Sequence, residues 1–74
     1  MRTRTAAEVL DAYFLETRAK LLEIAANLDR VDRAADSALM QGDPRVSFIE
    51  NALKILQSRS SNRAEQIQVL YSVP

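Results

Sequence analysis

Cysteine, histidine and tryptophan are all missing from this 74-residue chain, and it holds one glycine and two prolines. Without cysteine there is no disulfide. Without cysteine or histidine, the usual zinc, haem and iron–sulfur sites lack their ligands. No metal and no cofactor are therefore expected. A single glycine cannot build a glycine-rich phosphate loop. Nucleophilic catalysis lacks both Cys and His, and the serines fall in turns or on polar helix faces. Lys20 and Lys54 read as solvated, which leaves no candidate for a Schiff base. No catalytic residue is assigned, and the chain is not expected to be an enzyme.

Other absences bear on location and partners. No apolar run approaches the ~20 residues of a membrane span. The charged start, Met1-Arg2-Thr3-Arg4-Thr5, is not followed by an apolar signal segment. Ten Lys+Arg balance ten Asp+Glu. With no net field, neither nucleic acid nor anionic lipid is drawn to the protein. A cytoplasmic protein with no membrane contact is expected.

What is present is helix-forming sequence. Thr5-Ala6-Ala7-Glu8 has capping-box spacing, in which the Thr hydroxyl and the Glu carboxylate each accept from the other's backbone amide. No breaker follows until Gly42. Leu10, Phe14, Thr17, Leu21, Ile24, Leu28, Val31, Ala35 and Ala38 keep strict four-three spacing, a heptad seam apolar everywhere but Thr17. The pattern predicts one helix from about residue 6 to about 39. Gln41-Gly42-Asp43-Pro44 reads as a turn, with Gly42 past a helix end, Asp43 as N-cap and Pro44 as first helical residue. A second helix, about 44–58, carries Val46, Ile49, Leu53 and Leu56 in one stripe. Asn62 opens a third, about 63–72, with Glu65 in a looser capping position.

The expected architecture is all-α and one domain over residues 1–74: a long N-terminal helix with two shorter helices folded back on it. Leu21, Ile24, Leu28, Leu53 and Leu56 are expected to anchor its hydrophobic centre. So small a chain buries only ~60% of its unfolded surface, so a partner chain is the natural supplement. Dimerisation would complete a helical bundle.

One stretch resembles a site in composition. Leu28-Asp-Arg-Val-Asp-Arg-Ala-Ala-Asp36 offers three carboxylates. On a continuing helix Asp29 and Asp36 would lie close together with Arg33 beside them, and Arg30 would turn towards Glu23; most of this is a solvated face. Asp32, at the margin of the seam, is expected to be a partly desolvated structural ion, paired with Arg45 or Arg63. A carboxylate di-metal centre is excluded by ligand type and by direction, because Glu16 and Glu23 project opposite the seam.

A second stripe runs along another face of the first helix: Leu15, Ala19, Leu22 and Ala26. Alternating Leu and Ala permits close approach of another helix. These four residues are the expected chain–chain interface, most simply that of a two-fold homodimer. The alternative is cover by the third helix of the same chain. The function that follows is a non-catalytic protein–protein interaction and oligomerisation module, an adaptor, assembly factor or regulator with a further protein partner. The competing reading is a small helix-turn-helix-like DNA binder, with Asn62, Arg63, Gln66 and Gln68 on its reading face. The short third helix and the lack of a basic stripe count against it.

Overall fold

The computed structural model describes residues 3–72. Among these residues all regular structure is helical: α1 (Ala6–Arg33), a 3-10 helix (Ser37–Gly42), α2 (Pro44–Gln57) and α3 (Arg63–Ser72). The protein is all-α, with one long N-terminal helix followed by shorter ones. It divides into two compact units, Met1–Ala35 and Asp36–Pro74. None of the described helices is long and apolar enough to cross a membrane.

The first unit is essentially α1, 28 residues and about 42 Å long. Its start is the capping box read from the sequence. The Glu8 amide donates to Thr5 Oγ1 at 3.2 Å, and the Thr5 amide donates to Glu8 Oε1 at 2.9 Å. No glycine or proline interrupts the helix, and Arg30 and Arg33 in the last turn suit the negative end of its dipole. Lys20 Nζ bonds Glu16 Oε1 at 2.8 Å, with the acid N-terminal, the favourable order.

The helix ends earlier than its heptad pattern. Ala34 is extended, at φ −71° and ψ 156°, and Asp36 sits in the left-handed region at φ 62° and ψ 24°. The reading of one helix to residue 39 is thus corrected: Ala35 and Ala38 continue the spacing but lie outside α1. Beyond Val31 the seam offers only methyl groups, which add little burial to hold further turns. Asp36 and Ser37 favour turns over helix interiors, and aspartate tolerates the left-handed conformation better than most residues. Gly42 is not left-handed either, being the last residue of the 3-10 helix with no positive φ. The left-handed residue is Asp36 instead.

In the second unit, Asp43 caps α2. Its Oδ1 accepts from the Arg45 amide at 2.8 Å, and Pro44 fills the first turn. α2 and α3 pack together, with the Phe48 and Tyr71 rings 4.7 Å apart between centroids. Val46, Ile49, Ala52, Leu53, Ile55, Ile67 and Leu70 are half-buried.

No described side chain is fully buried. The expected centre of Leu21, Ile24, Leu28, Leu53 and Leu56 is not a sealed core: Leu28 and Leu53 are half-buried, and the other three are exposed. Within the first unit a single helix cannot enclose its own side chains, and within the second two short helices with a turn cover only one face of each other.

Candidate interaction surface

The acidic stretch of α1 is a wet surface. Asp29 Oδ2 meets Arg33 Nη2 at 3.6 Å, both side chains well exposed, a pairing worth a few tenths of a kcal/mol at about 0.2–0.5. Arg30 Nη1 donates to Asn27 Oδ1 at 2.6 Å rather than turning to Glu23. Asp36 has left the helix, so it does not join Asp29 on one face.

The residues expected to form a structural ion pair each have a definite place. Asp32 is exposed on α1. Arg45 is held by Asp43, through Nε to Oδ1 at 3.0 Å and Nη2 to Oδ2 at 2.7 Å. Arg63 Nε donates to the Ser58 carbonyl at 2.8 Å. These contacts span only a few residues of chain, so they form as soon as the caps do. The signal for the Asp43–Arg45 fork was present in the sequence: an acidic N-cap followed at once by Pro-Arg. The fork holds the Asp43 carboxyl down at about 2, chiefly through the hydrogen bonds from the Arg45 side chain and backbone.

The turn between α2 and α3 is knitted by its own polar side chains. The Ser60 hydroxyl donates to Asn62 Oδ1, and Gln66 Nε2 donates to both Ser60 Oγ and Asn62 Oδ1 at 2.7 Å. It is thus Gln66, not Glu65, that reaches back over the start of α3. Three of the four residues assigned to a DNA-reading face, Asn62, Arg63 and Gln66, already carry intrachain hydrogen bonds. A base edge would have to displace them.

The other exposed feature of α1 is apolar. On α1, Leu15 is 72% and Leu22 59% exposed, and Ala19 lies exposed between them. Ala26 completes the stripe and is half-buried. Leu22 and Ala26, with Glu23, Asn27 and Arg30, line a shallow trough of about 380 Å³. The main seam is open as well: Leu10, Phe14, Leu21 and Val31 are all exposed. Thr17, its one polar member, donates its hydroxyl to the Tyr13 carbonyl at 2.9 Å. Among the described residues the arrangement gathers no group of acidic side chains that could hold a metal ion. It offers two apolar stripes on one rigid rod.

Compared with models of protein families, with curated proteins and with solved structures, the chain matches none.

Proposed function

We propose that this protein is a non-catalytic helical interaction module of the cytoplasm that self-associates through α1 and presents the assembled surface to a protein partner. One observation carries the reading: Leu15 and Leu22 stand exposed in a single stripe with Ala19 and Ala26. Burying a leucine side chain is worth ~1.5–3 kcal/mol, a large sum for a chain without a disulfide. The alanines let a second helix approach closely, and a two-fold axis would set the stripe against its own copy. A homodimer is the simplest such assembly.

Solution mass by sedimentation over a dilution series tests the reading. A mass above that of one chain, falling on dilution, is expected. Replacing Leu15 and Leu22 together by Glu would gather like charges in the contact, so this variant should sediment lighter than the wild type. A wild-type protein that is monomeric at every concentration would overturn the proposal.

A further inference from the structure

We infer that the heptad seam of α1, distinct from the Leu15–Ala26 stripe, is the core of a parallel, in-register coiled coil with a second copy of this chain. The inference rests on self-association through α1 and adds a second contact face with a defined orientation. The seam repeats every seven residues, with Phe14, Leu21 and Leu28 at one core position and Leu10, Thr17, Ile24 and Val31 at the other. Such a repeat keeps its apolar face towards a partner only if two helices supercoil about each other. Within α1 the seam runs from Leu10 to Val31, about three heptads, the length at which such a pattern argues for a coiled coil. Leu10, Phe14, Leu21 and Val31 are 62%, 52%, 54% and 45% exposed, so the face is open at both ends, with Leu28 half-buried near its C-terminal end.

Thr17 would ordinarily object to burial. Its hydroxyl is already satisfied by the Tyr13 carbonyl, so enclosing it leaves no orphaned donor.

The flanking residues choose the orientation. In a parallel pair, Tyr13 meets Arg18 of the copy, Lys20 meets Ala25, and Asn27 meets Asp32. No like charges oppose each other, and the Arg18 guanidinium can lie on the Tyr13 ring. An antiparallel pair of full overlap sets Leu10 against Leu28 and Phe14 against Ile24. It then brings Lys20 against Lys20 and Arg18 against Arg18, four cations around the two-fold axis. Sliding one heptad to bring Asp11 to Arg18 leaves Leu28 and Val31 outside the contact.

The absence of cysteine supplies the experiment. Leu10→Cys, Val31→Cys and Leu28→Cys are made singly in the full chain and equilibrated in a thiol–disulfide buffer, with circular dichroism to confirm that each remains helical. In the parallel pair, Leu10→Cys and Val31→Cys each form a disulfide with their own kind, on the order of 100-fold more than in urea. The Leu10→Cys disulfide also persists when Leu15 and Leu22 are both replaced by Glu. A disulfide that forms only in a mixture of Leu10→Cys with Leu28→Cys shows an antiparallel pair and overturns the inference. A wild type that self-associates while Leu10→Cys and Val31→Cys stay reduced overturns the seam but leaves self-association standing. A strictly monomeric wild type removes both.

Discussion

The Phe48 and Tyr71 rings, one near the start of α2 and the other near the end of α3, meet at 4.7 Å between centroids with their planes tilted by 50°. This is within the range of favourable edge-inclined ring pairs, worth about 0.5–1.5 kcal/mol beyond the area they cover. A double-mutant cycle with Phe48→Leu and Tyr71→Leu should return a coupling of that size in urea unfolding. Tyr71→Phe keeps the ring and should leave the melting temperature unchanged. Additive effects in the cycle would mean that the two helices are held by their aliphatic contacts alone.

Asp43 makes stability depend on acid. Its folded carboxyl, held at about 2 by Arg45, lies below the usual value near 3.9 of an unfolded chain. A depressed acid contributes stability that is complete above the unfolded value and is lost as pH falls from about 4 through about 2. Asp43→Asn keeps an acceptor for the helix cap but cannot titrate. The stability of the wild type should therefore fall more steeply over that interval than that of the variant. Parallel pH curves for the two proteins would contradict the Asp43–Arg45 fork.

Gly42 closes the 3-10 helix without a positive φ, and a Cβ built there meets nothing within 4 Å. Nothing in the folded state needs glycine at this position. Gly42→Ala should stabilise the protein by about 0.4–1 kcal/mol, because alanine restricts the unfolded chain more. A lower urea midpoint would show that the turn uses a conformation closed to alanine.

Asp36 behaves oppositely. It occupies the left-handed region that glycine enters freely and a β-branched residue does not. Asp36→Gly should be close to neutral, whereas Asp36→Val should cost about 1–2 kcal/mol. Equal melting temperatures for the two variants would contradict the left-handed backbone at Asp36.

The sequence by itself determined the helical class, the Thr5–Glu8 capping box and the Asp43-Pro44 entry to α2. Each rests on residues no more than three apart, so the signal and the structure are nearly the same object. The heptad seam was equally plain as a pattern, since periodicity in a helix is a statement about angle alone. The end of α1 was not legible in this way. Ala35 and Ala38 extend the spacing without contributing enough burial to enforce it, and the preference of Asp36 for a left-handed turn leaves no periodic trace. The partner of Arg63 was likewise out of reach. Whether a long cation bonds a neighbour two residues away or a carbonyl five residues away depends on where the cap and the turn point it. Only the tertiary structure decided the meeting of Phe48 with Tyr71 and the Ser60–Asn62–Gln66 cluster. Those contacts depend on the direction in which the chain leaves Ser58, and direction is fixed by packing rather than by composition.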